Sequence, residues 1–320
     1  MGNNTIQKIN GNFKNKSIFS IDQFSPKDIN IVFKTADKYK KMVLSKGGNQ
    51  TLKGRIASAL FFEPSSRTFG SFIAAMQRLG GGFIPFQGME SSSVSKGESL
   101  EDTIQTFASY SDIIIMRHPQ VGSIQKAIAV SPVPIINAGE GIGEHPTQAL
   151  YDAYTILKEL GKINGLHIVF FGELGHYRPV NSLAKLLALY SKNKITFVSP
   201  PQGRVKNEIK ENLKRHGIRF SEAESLDGVI EEADVLYVTR VKKEFMSEDL
   251  YKKLKGKYVV DNKVTSRMKK KSIILHALPR IDEIHTEVDY DNRAVYLRSQ
   301  IRNGMYIRMA LLALVLGGIK

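Results

Sequence analysis

The chain has 320 residues and no cysteine, with 46 Lys and Arg against 31 Asp and Glu for a formal charge of +15. That length predicts two domains, and the missing cysteines exclude disulfides, thiolate metal sites and a cysteine nucleophile while fitting a reducing, cytoplasmic compartment. Residues 1–16 are polar without an apolar signal core, and no apolar run approaches the roughly 20 residues of a membrane helix, so no membrane partner is expected.

In chain order, Ser25-Pro26-Lys27-Asp28 predicts a helix start, with Ser as N-cap and Pro at the first helical position. Strand-like runs follow at 56–62, 82–86, 112–116 and 133–137, with helical patterns between them. Gly80-Gly81-Gly82 and the Ser-rich stretch 89–97 mark loops. A second series of strands is expected at 167–171, 195–198, 235–239, 258–260 and 273–275. This alternation predicts an α/β chain of two doubly wound domains, each with a central parallel sheet flanked by helices. The domain boundary is expected in a helix over about 146–160. A last helix, about 299–316, has no strand after it, and either domain offers it a place.

In open α/β sheets, ligands sit at the carboxyl ends of strands. Ser65, Ser66, Arg67 and Thr68 directly follow the first strand, where Phe72, Ala75, Met76 and Leu79 begin a helical pattern. Hydroxyls and a guanidinium thus meet the unpaired N–H groups and positive dipole of a helix N-terminus, a natural phosphate site. Other strand ends carry Arg117-His118-Pro119-Gln120, residues 137–148, the run Gly172 to Arg178, Thr239 to Lys242, and His276-Ala277-Leu278-Pro279-Arg280. In His145-Pro146-Thr147-Gln148, the proline places His145 at or beside an N-cap. The dipole there disfavours imidazolium, and neutral imidazole can donate to a carbonyl oxygen. Gln148, one turn on, shares that face and suits an amide-like group. Each feature has a plainer role when it stands alone: a capped surface helix, a capping histidine, an ion pair of Arg117. Ser92 and Lys96 fall in a loop that reads either as a flexible surface segment or as a mobile lid carrying a cation.

Gly172 and Gly175 do not complete G-x-G-x-x-G, and no acid ends the following strand, which excludes a nicotinamide site. No G-x-S-x-G elbow, no GxxxxGK[ST] and no His pair at ligand spacing occurs, so neither a cofactor nor a metal is expected. The lysines are scattered without an aromatic-interleaved stripe, which argues against nucleic acid and for a basic field attracting small anions. Many anion donors and one polarising histidine suit a transfer in which phosphate leaves and an amine attacks directly, catalysed by positioning and charge stabilisation.

Ser65-Ser66-Arg67-Thr68, Met116-Arg117-His118-Pro119-Gln120, His145-Pro146-Thr147-Gln148, Thr239-Arg240 and His276-Ala277-Leu278-Pro279-Arg280 occur in this order. Together they resemble the catalytic chains of the aspartate/ornithine carbamoyltransferase superfamily, on the aspartate branch, over about residues 24–317. The resemblance implies a carbamoyl-phosphate-binding domain over 1–146, completed by a C-terminal helix, 296–320, that packs back on it, and an aspartate-binding domain over 147–295. It implies that Ser65, Ser66, Arg67 and Thr68 hold the phosphate of carbamoyl phosphate and that Arg117 binds a phosphate or carbonyl oxygen. His145 would polarise the carbonyl, Gln148 would hold the carbamoyl amino group, and the backbone at Leu278 and Pro279 would complete that pocket. Arg178 and Arg240 would bind the carboxylates of L-aspartate, with Lys96 and Lys242 beside them. Ser92 and Lys96 would enter from a neighbouring subunit of a homotrimer with shared active sites; a regulatory chain stays open.

Three positions depart from the family pattern. Lys242 stands where Gln is usual, Phe245 where Arg is usual, and Phe69 where Arg is frequent. The missing Arg leaves Arg178 as the obvious partner of Glu63, and a weaker closed state is expected. Lys242 makes up to four cations around the acceptor with Arg178, Arg240 and Lys96, which would repel ornithine and favour a dianionic amino acid. Two other readings stay open: a carbamoyltransferase for another acidic amine, and a non-catalytic anion-binding assembly subunit.

Overall fold

The computed structural model describes residues 6–88, 96–241 and 246–318. The chain divides into two compact units, one of residues up to 150 together with those from 304 onward, the other of 151–303.

In the first unit, helix α1 (Pro26–Lys46) precedes β1 (Ile56–Phe61), α2 (Ser66–Arg78), β2 (Gly82–Gln87), α3 (Leu100–Ala108), β3 (Ile113–His118), α4 (Ser123–Val130) and β4 (Ile135–Glu140). Helix α5 (Pro146–Leu160) carries the chain into the second unit. The strands pair in parallel in the order β2-β1-β3-β4. β1 is buried from Ala57 to Phe61, the near-continuous run of a parallel strand covered on both faces. Leu60, Phe62, Ile114 and Met116 pack there with Ile104 and Ala108 of α3 and Ile124 and Ala127 of α4. Ser25 caps α1 in a reciprocal box with Asp28, whose carboxyl is lowered by hydrogen bonds from Ser25 and Gly11 that outweigh its burial.

The N-terminal segment covers the edge of β4. Ile18 donates its N–H to the Ile135 carbonyl at 2.8 Å and accepts the Asn137 N–H at 2.8 Å, so the edge presents no unpaired ladder at that point.

The second unit contains β5 (His167–Phe171), α6 (Arg178–Ala188), β6 (Lys194–Val198), α7 (Asn207–Arg215), β7 (Arg219–Ala223), β8 (Val235–Val238), α8 (Glu248–Leu254), α9 (Asn262–Arg267) and β9 (Ile273–His276). Its parallel sheet has the order β7-β6-β5-β8-β9. Phe170 stacks on Phe197 at 5.5 Å on one face, and Val169, Phe171, Leu236 and Ile274 belong to the core on the other. Helix α10 (Ile301–Val315) returns the chain to the first unit, where Arg308 lies over the Phe72 ring at 4.9 Å and bonds the Ser71 hydroxyl.

The expected strand over 258–260 is not formed. Val260 makes only an isolated bridge to Ile284, and Tyr258 and Val260 belong to the core beneath β8 and β9. A strand that the apolar pattern does not reveal, β7, pairs with β6 instead. It is an edge strand whose burial pattern is mostly exposed, so Arg219, Ser221 and Glu222 give it no apolar run. β3 and β4 also extend beyond their expected ends, which puts Arg117 and His118 inside a strand rather than after it. Among the described residues, no helix is long and apolar enough to cross a membrane.

Candidate functional site

The carboxyl ends of β1, β3 and β4 gather the donors of the first unit. Ser65 is the N-cap residue of α2, extended at φ −161°, and its side chain makes no capping bond. Its carbonyl accepts the Phe69 N–H at 3.1 Å, so the helix begins with its first N–H groups beyond the reach of intrahelical acceptors. No acidic residue stands in that first turn, and Ser66 and Arg67 are exposed while Thr68 is buried. This combination of exposed donors and positive dipole suits an anion. Phe69, a departure from the family pattern, packs edge-on against Phe61 at 5.1 Å and Phe83 at 6.1 Å, so it serves the apolar face of the turn.

Arg117 lies beside this turn. The Phe62 N–H donates to the Arg117 carbonyl at 2.9 Å, extending the β1–β3 ladder past the last strand residue. The extension brings Glu63 to Arg117, with Nη2 and Oε1 2.6 Å apart. Glu63 therefore has a partner within its own unit that the sequence did not suggest. Arg117 also donates toward the Ala138 carbonyl at 3.4 Å. The β3–β4 register slips there: Met116 faces Asn137 but His118 faces Glu140, leaving one extra residue in β4. Gly139, at φ 118°, absorbs that bulge. The Asn137 side chain fixes it by accepting the Gly139 N–H at 2.8 Å and donating to the Phe19 carbonyl at 3.0 Å.

The loop after β4 delivers His145. Glu144 accepts the Ser20 hydroxyl at 2.8 Å and the Ile21 N–H at 2.9 Å, pinning the loop to the N-terminal segment. Glu140 accepts the Ile124 N–H at 2.8 Å, and burial raises its carboxyl above the usual range. His145 then immediately precedes Pro146 at the start of α5 and is 3% exposed, with its carbonyl accepting the Gln148 N–H at 3.0 Å. Thr147 Oγ1 is 3.5 Å from His145 Nδ1, and Gln148 is buried in the first turn. His118 is a supporting group: its Nδ1 accepts the Gln120 N–H at 3.0 Å and meets the Ser123 hydroxyl at 2.8 Å. Burial lowers its pKa, which keeps Nδ1 available as an acceptor.

In the second unit, Arg178 opens α6 after β5, and Arg240 follows the neighbouring strand β8. The two loops are joined through Thr239. Its N–H donates to the Phe171 carbonyl at 2.8 Å, and its hydroxyl lies 3.1 Å from the Phe171 carbonyl and 2.8 Å from that of Glu173. Gly172, at φ 120°, permits this approach, because a Cβ there would run into the Thr239 carbonyl and lie 2.6 Å from its hydroxyl. Glu173 is 1% exposed, and its Oε1 accepts the His176 N–H at 3.0 Å, which shapes the path to Arg178.

Leu278 and Pro279 follow β9 in the same unit, joined by a cis peptide bond with Leu278 at φ 55°. Arg280, two residues on, engages Asp289 through both terminal nitrogens and lies over the Tyr296 ring, so it is a structural pair. Lys96 is exposed in the first unit. Ser92, Lys242 and Phe245 lie outside the described residues. Asn137, Glu144 and Thr239 are supporting residues that lie in strand-end runs the sequence marked, but to which it gave no role; Asn137-x-Gly139 carries a recognisable turn signal, whereas Glu144 and Thr239 act through contacts remote in sequence. No group of three or more His, Cys, Asp or Glu among the described residues is arranged to hold a metal ion.

Known proteins share this fold. Residues 16–158 match the carbamoyl-P binding domain of aspartate/ornithine carbamoyltransferases, and residues 164–315 match their Asp/Orn binding domain. The aspartate carbamoyltransferase catalytic subunit of Thermococcus gammatolerans is 46% identical over 94% of this chain and 98% of its own length. Multifunctional protein pyr1-3 of Dictyostelium discoideum is 48% identical over 94% of this chain, which spans only 14% of that longer protein. The crystal structure of the Trypanosoma cruzi aspartate transcarbamoylase with N-(phosphonacetyl)-L-aspartic acid is 43% identical, with a TM-score of 0.91 over 95% of this chain and 97% of that one. The same enzyme with carbamoyl aspartate and phosphate also aligns at a TM-score of 0.91. With both halves of the chain matched in order and the strand-end residues in place, the chain belongs to the aspartate/ornithine carbamoyltransferase family.

Proposed function

We propose that the chain transfers the carbamoyl group of carbamoyl phosphate to the amino group of L-aspartate, giving N-carbamoyl-L-aspartate and phosphate. The observation that carries the acceptor is the pair Arg178 and Arg240, placed at the ends of adjacent strands and tied together through Thr239. Two guanidinium groups suit two carboxylates and oppose a cationic acceptor such as ornithine. On the donor side, Ser65, Ser66, Arg67 and Thr68 hold the phosphate, Arg117 binds a phosphate or carbonyl oxygen, His145 polarises the carbonyl, and Gln148 with the Leu278–Pro279 backbone receives the carbamoyl amino group.

The neutral amine attacks the carbonyl carbon, a tetrahedral oxyanion forms, and the C–O bond to phosphate breaks, with the proton shed by the amine passing to the departing phosphate. Catalysis rests on preorganised donors rather than on a covalent intermediate. The product is a precursor for pyrimidine synthesis. The reading includes a cytoplasmic homotrimer in which Ser92 and Lys96 of one copy complete a neighbour's site. Relatives named as catalytic subunits support a multisubunit setting that leaves room for a regulatory chain.

Phosphate release from carbamoyl phosphate, measured with aspartate, glutamate, ornithine and putrescine as acceptors, tests the proposal. Aspartate should give the highest kcat/KM; higher turnover with another amine would replace it as the substrate. Lys242→Gln is the follow-up for acceptor choice.

A further inference from the structure

A buried polar chain runs beneath the Leu278–Pro279 turn. The Tyr237 hydroxyl donates to one Asp152 oxygen at 2.9 Å, and Gln300 Nε2 donates to the other at 2.6 Å. Gln300 Oε1 in turn accepts the His276 N–H at 3.0 Å. The His276 ring continues the chain in two directions. Its Nδ1 accepts the Leu278 N–H at 2.7 Å, and its Nε2 lies 2.7 Å from Glu283 Oε1. Glu283 Oε2 accepts the N–H groups of Ile281 and Asp282 at 3.0 and 3.1 Å.

These contacts specify one tautomer. A ring nitrogen that accepts a backbone N–H carries no proton, so the imidazole proton sits on Nε2, the nitrogen beside the carboxylate. Glu283 cannot release the ring to the other tautomer without placing a bare nitrogen against its own oxygen. His276 and Glu283 are each 2% exposed, whereas Leu278 is half-buried and Pro279 exposed. The network therefore supports an accessible backbone edge from below.

We infer that His276 is a positioning residue for the carbamoyl donor: Glu283 selects its Nε2–H tautomer, and that tautomer holds the Leu278 N–H and sets the backbone that receives the carbamoyl amino group. This rests on the proposed placement of Leu278 and Pro279 in the donor pocket. Neither His276 nor Glu283 touches substrate in this scheme; they act through the turn.

The test compares the dissociation constants of carbamoyl phosphate and inorganic phosphate for the full chain and three variants. Glu283→Gln cannot satisfy both the ring Nε2–H and the two backbone N–H groups, and His276→Leu removes the acceptor outright. Each should weaken carbamoyl phosphate about tenfold, the scale of one backbone hydrogen bond left unmade. Inorganic phosphate, held at Ser65–Thr68 in the other unit, should change less than about twofold. His276→Asn offers Oδ1 to the N–H two residues on, as an Asx turn does, and should restore carbamoyl phosphate to within about threefold of the parent. Equal loss of both ligands, no loss in Glu283→Gln, or His276→Asn no better than His276→Leu would overturn the inference. Should His276→Leu not fold, the near-isosteric Glu283→Gln decides. A parent chain that neither binds carbamoyl phosphate nor transfers from it overturns the functional reading and this inference together; a parent that does both while Glu283→Gln matches it overturns the inference alone.

Discussion

Arg117 and Glu63 form a 2.6 Å ion pair at the β1–β3 strand end, with only 13% and 23% of their side chains exposed. The carboxylate occupies the guanidinium that an incoming anion would use. Exchange of a carboxylate for a phosphate oxygen at Arg117 costs less than desolvating a bare cation, so in the proposed site Glu63 would hold Arg117 ready while competing for it. Glu63→Gln is expected to bind inorganic phosphate several-fold more tightly and to lose roughly 1–2 kcal/mol of stability in the unliganded state. Calorimetric titration with phosphate and urea unfolding measure the two effects. Weaker phosphate binding in the variant would mean that Glu63 aids the anion rather than competing with it.

In the proposed reaction, His145→Ala removes the donor that would meet developing charge on the carbonyl oxygen. The expected loss is about 10²- to 10³-fold in kcat with a much smaller change in carbamoyl phosphate KM. Steady-state kinetics with aspartate in excess reads the split. A rise in KM at unchanged kcat would assign His145 to ground-state binding instead.

Gly172→Ala places a Cβ against Thr239 at a φ that L-residues avoid. The pair of loops carrying Arg178 and Arg240 should separate, with about 2–3 kcal/mol of stability lost and a raised KM for aspartate. Carbamoyl phosphate binding to the isotherm of the parent would show that the damage stays in the second unit. Thermal unfolding with both KM values checks this, and an unaltered aspartate KM would show that the Thr239 stitch does not set the arginine pair.

His118 and His167 both have pKa values lowered by burial, with Lys194 adding to the effect at His167. A folded-state pKa below the unfolded value of about 6.5 means that the unfolded chain binds more protons in between. Their stabilising contribution is therefore complete above that value and is lost as pH falls toward the folded pKa. His118→Asn keeps an acceptor for Gln120 and Ser123 but does not titrate. Unfolding free energies from urea titrations between pH 7 and pH 5 should fall less steeply for this variant than for the parent, by up to about 1.4 kcal/mol per pH unit. An identical slope would remove His118 from the acid response.

The strand-end residues were legible because parallel α/β units advertise themselves through apolar runs and place ligands at one edge. Ser65–Thr68 and His145–Gln148 stand where that pattern puts them, at the starts of α2 and α5. β7 was hidden because an edge strand need not be apolar, and residues 258–260 misled because Tyr258 and Val260 are apolar for core packing rather than for pairing. The supports escaped for a different reason. Glu144 reaches Ser20, and Asp152 reaches Gln300, across more than a hundred residues, and nothing local marks such partners. For Glu63 the sequence offered Arg178 as the obvious partner; Arg117, which extension of the β1–β3 ladder by one hydrogen bond brings to it, carried no local signal.

The first unit is interrupted in sequence, with the whole of the second inserted between Leu150 and Gly304. Arg308, which covers Phe72 of α2, arrives only after every residue of the inserted unit has been made. During synthesis the contiguous second unit thus has all of its residues before the first acquires its last helix. The turn proposed to bind phosphate, although encoded near the start, waits on the final segment of the chain for its backing. Truncations at the C-terminus should therefore injure an anion site more than two hundred residues upstream.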